Sequence, residues 1–231
     1  MLALWLKTHF QTVWRVLFAL SALPGAVLLG LAQQNELGPN PLANLLHTTG
    51  RSALVLLTAT LLVTPLRRWL AQLSSHTHRR YGKRLADWNW LIRLRRMLGL
   101  WSFAYALAHA GLYAHFDLGY DWAAAWTEVQ EKPYLLAGLC ALLLLALLAA
   151  TSTHAMIRRL GGYWRRLHRL TYAVAVLGLL HFWWLVKPGL WTPWPDTVAL
   201  SWLLVYRAAV YGRWLQRWDG FDGHASQERS A

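Results

Sequence analysis

The chain has 231 residues, 56% of them hydrophobic, and a mean hydropathy of +0.27. This composition argues against an ordinary soluble domain and favours a protein that is solvated by a lipid bilayer. The net charge of +13 does not indicate nucleic-acid binding, because Lys and Arg are grouped between apolar runs instead of covering a polar surface. The single cysteine, Cys140, excludes an intramolecular disulfide and a cysteine-rich metal site, and no glycine-rich motif predicts a nucleotide site.

Six apolar runs are long enough, or nearly so, to cross a bilayer as helices, which takes about 20 residues each. They lie at 16–32, 45–66, 97–116, 134–153, 167–186 and 198–211. The first contains Pro24 and Gly25 and has no small-residue cleavage site, so we predict a retained helix and not a signal peptide. The chain is therefore predicted to be all-α, a polytopic membrane bundle of about six helices. It is expected to form a single domain over 1–231, with no soluble nucleotide-binding domain.

Basic residues between the predicted spans indicate the orientation of the bundle, because positively charged loops stay in the cytoplasm. The loops after the second and fourth spans contain clusters of Lys and Arg, namely Arg67, Arg68, Arg79, Arg80, Lys83, Arg84, Arg93, Arg95, Arg96, Arg158, Arg159, Arg165 and Arg166. The opposite loops hold only Lys132 and Lys187, and they carry the acids Glu36, Asp117, Asp121, Glu128 and Glu131. We therefore predict a multi-pass membrane protein with both termini in the cytoplasm.

Two histidines lie at similar depths in separate spans. Ionisable groups inside a membrane are costly, so a histidine there predicts a function. His109 lies about 13 residues beyond Arg96, or about 20 Å up the third helix, and His181 lies about 13 residues beyond His168 on the fifth, which runs in the same direction. Each could instead be a hydrogen-bonded core residue. Equal depth favours one group held between two imidazoles, and haem iron accepts such a pair for electron transfer.

His168 is the candidate for a second site. It follows Arg165 and Arg166 near the predicted cytoplasmic boundary, about 20 Å from His181 along the helix. On an ideal helix the two histidines lie about 140° apart, so a shared face requires a tilt or a local kink. The sequence leaves open whether His168 binds a second haem.

His47 and Arg51 form a further candidate site near the outer end of the second span, one helical turn apart. Arg51 is suited to neutralise a haem propionate, and His47 to serve as a ligand, a quinone contact or a propionate partner. The alternative for Arg51 is a side chain that merely extends outward to the headgroups.

Several segments occur in the order and at the spacing of a known family. They are HTTGR with LLVTPLRR following, then LRRMLGLWSFAYALAH, TSTHAM and GGYWRRLHRLTYAVAVLGLLHFWW. Over roughly 44–184 they resemble the MsrQ (YedZ) family of haem-binding membrane subunits, which serve a periplasmic methionine sulfoxide reductase system. That family is related to the transmembrane domain of ferric reductases and NADPH oxidases. The resemblance implies haem b in a core of about 44–186 and a location in the bacterial inner membrane.

The resemblance also carries functional residues onto this chain. The family's haem histidines match His109, His168 and His181, and its second-span motif matches His47 and Arg51. In the oxidase relatives the third helix has another histidine 14 residues before the first, and here that position is Arg95, a poor iron ligand. The resemblance therefore implies haem b but leaves its number at one or two.

Electron donor and acceptor are also implied by the resemblance. Only about 20 residues follow Tyr211, too few for the flavin and nicotinamide domain of a ferric reductase. Electrons are thus expected from the quinone pool or from a cytoplasmic flavin reductase. Family members are described as binding FMN, and its phosphate could pair with basic side chains such as Arg79, Arg80, Lys83 and Arg84. The expected acceptor is a periplasmic, molybdopterin-dependent, MsrP-like methionine sulfoxide reductase that carries the catalytic site, with the acidic 117–131 loop as a candidate docking surface.

Two alternative functions remain at this point. One is a ferric reductase-like or cytochrome b561-like electron-transfer protein with another acceptor, which sequence does not separate from the first hypothesis. The other is a transporter or assembly scaffold in which the histidines are structural or relay protons. Transporters often contain inverted repeats or paired broken helices, and no convincing repeat occurs in this chain.

Overall fold

The computed structural model describes residues 2–76, 82–185 and 193–227, and within them every regular element is helical. This confirms the predicted all-α class. The helices are α1 (Leu2–Thr8), α2 (Phe10–Gln33), α3 (Pro41–Ser75), α4 (Leu91–Phe116), α5 (Trp122–Glu131), α6 (Pro133–Ala150), α7 (His154–Leu160), α8 (Gly162–Leu167), α9 (Thr171–Leu185) and α10 (Trp194–Gln227). Two 3₁₀ turns, Leu85–Trp88 and His168–Leu170, precede α4 and α9.

Each of the six predicted spans overlaps a helix, namely α2, α3, α4, α6, α9 and α10. By length and apolar composition, α2, α3 and α6 are able to cross a membrane. The first turns of α4 carry several arginines, α9 has only 15 residues, and α10 continues into a polar segment. Large apolar side chains such as Leu29 and Val205 are about two-thirds exposed, as expected of side chains that face lipid.

The predicted fifth span, 167–186, differs most from the structure. It was expected to be one helix, but α8 ends at Leu167, a 3₁₀ turn covers His168–Leu170, and α9 begins only at Thr171. The Thr171 hydroxyl donates to the carbonyl of His168 (2.9 Å), a local bond that competes with regular helix pairing. The predicted end of this span, Val186, lies outside the described residues.

Helix α3 is the centre of the bundle and packs most extensively against α4, while α6 packs against α9. One apolar cluster joins α3, α6, α9 and α10 around Leu61, Val174 and Leu200, each at most 1% exposed. A second cluster joins α3 and α4 with the turn that contains Trp88. Helices α4 and α9 are therefore both held against α3.

Helix α2 contains Pro24, which lacks the N–H for one bond of the helical ladder. The hydroxyl of Tyr105 on α4 donates to the Ser21 carbonyl (2.8 Å) and accepts from the Gly25 N–H (2.9 Å). In a regular helix these two backbone groups would pair with each other. A side chain of α4 thus replaces a backbone bond of α2 and ties the two helices together.

Candidate functional site

Helices α4 and α9 bring His109 and His181 together. Their ring centroids are 6.0 Å apart and the ring planes are nearly perpendicular, at 88°. A histidine–metal bond measures about 2 Å and the ring centre lies about 1 Å further, so imidazoles on opposite sides of one metal ion have centres about 6 Å apart. The observed separation fits a metal held between the two rings. The pair lies near one end of the bundle, because α9 ends four residues after His181 and α4 ends at Phe116.

The hydrogen bonds of these imidazoles fix which nitrogen is available to a metal. His109 Nδ1 lies 2.9 Å from the Leu46 carbonyl oxygen, and His181 Nδ1 lies 2.7 Å from the Tyr134 carbonyl oxygen. A carbonyl only accepts, so Nδ1 carries the proton in both rings and Nε2 keeps its lone pair. Metal-binding histidines are typically held in this way by a partner on the second nitrogen. The donor set therefore fits haem iron, which the Nε2 atoms of His109 and His181 would hold.

Next to this pair lie the two other predicted outer residues. The His47 ring meets the Phe182 ring edge to face at 6.2 Å between centroids, which places His47 beside the residue that follows His181. Arg51 Nη2 lies 3.7 Å from Asp196 Oδ2, and Asp196 is 7% exposed. Arg51 thus turns towards a carboxylate of α10, in contrast to the alternative that it extends to the headgroups.

Sequence reasoning missed Asp196. Its signal was present, since it is the only acid at the start of the last apolar run, and a carboxylate at such a position needs a partner. The partner, Arg51, is evident only from the packing of α10 against α3.

His168 is separated from the first pair and has different surroundings. Its ring stacks on Trp164 with centroids 4.0 Å apart, its Nδ1 lies 3.2 Å from the Trp164 carbonyl oxygen, and its Nε2 lies 3.4 Å from Ser152 Oγ. None of these contacts is to a second histidine, and no group of three potential metal-binding side chains occurs in the part of the chain that the structure describes. Arg95 lies close enough to interact with it electrostatically.

Arg95 belongs to a group of half-buried cations, Arg67, Arg95 and Arg207, which we call the inner arginine cluster. Arg207 donates to the Tyr172 hydroxyl (2.5 Å) and to the Leu61 carbonyl (2.8 Å), so its guanidinium group is held inside the bundle. Arg67 donates to the Leu85 carbonyl and to the Asn89 side chain. The ion pairs among the described residues are Arg51–Asp196 and Lys132–Glu128, so the cluster has no carboxylate counter-charge there.

The basic residues proposed for a flavin phosphate are only partly described. Arg79 and Arg80 lie outside the described residues. Lys83 and Arg84 are exposed just before the 3₁₀ turn Leu85–Trp88. The structure does not bring these last two into the inner arginine cluster.

The acidic outer loop forms a helix that sequence reasoning did not predict, α5. Asp121 caps it by accepting from the backbone N–H of Ala123 and Ala124, both at 3.0 Å. Glu128 accepts from the Tyr113 hydroxyl (2.6 Å) and pairs with Lys132 (2.9 Å). Two of the acids that had been expected to face a partner are therefore used to hold α5, while Asp117 and Glu131 are exposed.

Comparison with known proteins defines the class first. The family described as "Ferric reductase like transmembrane component" matches residues 49–179, a range that includes His109, His168 and Arg51. It ends two residues before His181. The fold is thus that of a ferric reductase-like transmembrane domain.

Closer relatives identify the family within that class. Proteins named "Protein-methionine-sulfoxide reductase heme-binding subunit MsrQ" are 41% identical in Herminiimonas arsenicoxydans (171 residues, 74% of this chain and 71% of the relative) and 43% identical in Ralstonia nicotianae (166 residues, 71% and 69%). The relative in Azospira oryzae is 38% identical over 216 residues, 90% of this chain and 85% of its own. The chain belongs to the MsrQ family, which confirms the resemblance seen in its motifs.

Proposed function

We propose that this chain is the haem b-binding membrane subunit that passes electrons to a separate methionine sulfoxide reductase. The observation that carries the proposal is the pairing of His109 with His181, each proton-bearing at Nδ1 and available at Nε2. The names of its relatives support both the haem and the reductase system. Haem b, if held by these two imidazoles, would supply one-electron transfer.

One haem accounts for the described geometry. His109 and His181 would hold it, and Arg51 with His47 lie beside them as candidates for its propionates. A second haem on His168 lacks a facing histidine, because Arg95 stands where the oxidase relatives supply one, and arginine is not an iron ligand at neutral pH. We therefore propose that His168 is not a haem ligand.

The inner arginine cluster supports a role for FMN on the donor side. Three guanidinium groups on α3, α4 and α10, without a carboxylate among the described residues, favour an anionic ligand such as a flavin phosphate. The electron donor is then a cytoplasmic flavin reductase, with the quinone pool as the alternative. In the proposed orientation the protein lies in a bacterial inner membrane with both termini on the cytoplasmic side, so that this cluster faces the donor.

The acceptor is proposed to be a periplasmic, molybdopterin-dependent methionine sulfoxide reductase, which holds the catalytic site. The exposed acids Asp117 and Glu131, on either side of α5, are candidate contacts for it. This chain then relays electrons and does not itself reduce sulfoxide.

Electron delivery in proteoliposomes tests the proposal. The purified chain is reduced from one side by a flavin reductase with NADH and FMN, and the haem spectrum is followed after the sulfoxide reductase and methionine sulfoxide are added to the other side. We expect reoxidation only when both are present. Reoxidation by a ferric chelate at a similar rate, with none by the sulfoxide reductase, contradicts the proposal and favours the acceptor suggested by the name of the wider family.

A further inference from the structure

Each of the two facing imidazoles rests on a glycine of a neighbouring helix. A Cβ at Gly138 of α6 would lie 2.7 Å from His181 Nδ1 and 3.0 Å from its Cε1. A Cβ at Gly50 of α3 would lie 3.1 Å from both Nδ1 and Cε1 of His109. The first distance forces a displacement, and the second is tighter than ordinary van der Waals contact.

The two contacts share one register. The carbonyl that accepts from His109 belongs to Leu46, four residues before Gly50, and the one that accepts from His181 belongs to Tyr134, four residues before Gly138. In an α-helix the side chain at position i+4 leans back over the turn that holds carbonyl i. A side chain at either glycine would therefore cover the carbonyl that the imidazole needs.

The glycines of α4 show that a helical glycine does not in general touch a side chain so closely. Gly99 and Gly111 lie on α4, the helix of His109, and a Cβ at either has no neighbour within 4 Å. Glycine in a helix interior costs up to about 1 kcal/mol relative to alanine, so a position that must remain glycine needs a compensating contact. Gly50 and Gly138 have such a contact.

We propose that Gly50 and Gly138 are positioning residues that seat His109 and His181 on the carbonyls of Leu46 and Tyr134 and so fix the ring orientation and the donor strength of each Nε2. The inference rests on the proposed haem function. It goes beyond that function because it assigns the orientation of the two imidazoles to two residues that touch neither iron nor substrate. A hydrogen bond on the second nitrogen of a metal-bound histidine raises its basicity, and loss of such a partner weakens metal binding about 10- to 100-fold.

The test compares Gly138→Ala and Gly50→Ala with Gly99→Ala and Gly111→Ala, which make the same chemical change in open space. The measurements are haem content after purification, the rate of haem transfer to an acceptor protein, the low-spin EPR spectrum and the midpoint potential. We expect Gly138→Ala to lose haem at least about tenfold faster, or to shift the EPR spectrum and the potential. Gly50→Ala should do so less strongly, and both control variants should match the parent protein.

Three outcomes separate this inference from the function on which it rests. If Gly138→Ala does not fold, Gly50→Ala, with its milder contact, decides the question by the same measurements. If both variants keep the haem, EPR spectrum and potential of the controls, the seating role is wrong, while a haem that still depends on His109 and His181 leaves the proposed function intact. If the parent protein binds no haem, the proposed function itself fails.

Discussion

Single residues determine how the two facing histidines are held. His109 and His181 each use Nδ1 on a backbone carbonyl, so their orientation depends on helix packing more than on neighbouring side chains. Their common depth followed from the sequence, because the arginine clusters mark where each helix enters the membrane. The need for glycine at positions 50 and 138 did not follow from the sequence. Glycine is common in membrane helices, and only the side chain packed against it shows that it is needed.

The Arg51–Asp196 pair gives a prediction at this scale. Asp196→Asn removes a nearly buried carboxylate in the first turn of α10 and leaves Arg51 without it. We expect a loss of stability of about 1–3 kcal/mol, between the values for an exposed and a buried ion pair, because the Arg51 side chain is 38% exposed. Equilibrium unfolding of the protein in detergent measures this loss, with Asp117→Asn, at an exposed residue, as the control. Equal stability of the two variants contradicts a role for the pair in joining α3 to α10.

At the scale of elements, the apolar runs predicted every long helix but not how each one ends. The sequence 167–186 is uniformly able to form a helix, and its division at His168 depends on the Thr171 hydroxyl and on the stacking of His168 against Trp164. Helix α5 escaped prediction because it is short and contains no long apolar run. Both cases depend on local hydrogen bonds that hydrophobic patterning does not report.

The attachment of α5 gives a prediction on pH. The hydrogen bond from the Tyr113 hydroxyl lowers the pKa of Glu128, and the hydrogen bond from Lys132 lowers it further. The same bond to Glu128 raises the pKa of Lys132. A carboxylate whose pKa is lowered on folding contributes fully above its unfolded value of about 4.3, and that contribution is lost as the pH falls through the lower folded value. We therefore expect α5 to stay attached at neutral pH and to loosen only below about pH 4.3.

A spin label at the exposed Thr127 reports this change as increased mobility on acidification. Glu128→Gln should show a mobile label already at neutral pH, whereas Glu131→Gln should behave as the parent protein. A label that is equally immobile in all three proteins from pH 3 to pH 8 rules out the proposed attachment.

At the scale of the whole molecule, charge and apolar composition were sufficient for the all-α membrane class, and the ordered sequence motifs were sufficient for the family. Belonging to the MsrQ family and to the ferric reductase-like fold is confirmed by the comparisons. The inner arginine cluster was not predicted as a unit, because Arg67, Arg95 and Arg207 are far apart in the chain and meet only through packing.

The orientation of the bundle gives a prediction for the intact protein. In a Cys140→Ala background, a single cysteine at Glu36 should react with a membrane-impermeant maleimide on intact cells, because that loop is predicted to be periplasmic. A cysteine at Arg159 should react only after lysis. The reverse labelling pattern would show that the bundle has the opposite orientation, with the inner arginine cluster on the acceptor side.

The most direct test of the central claim is the dithionite-reduced absorption spectrum of purified His109→Ala, His181→Ala and the double variant, with His115→Ala and His168→Ala as comparisons. We expect each of the first three to lose the low-spin b-type haem while the monodisperse protein is retained. The other two should keep one haem per chain. A double variant that retains the full low-spin spectrum contradicts the assignment of His109 and His181 as the pair that holds the haem.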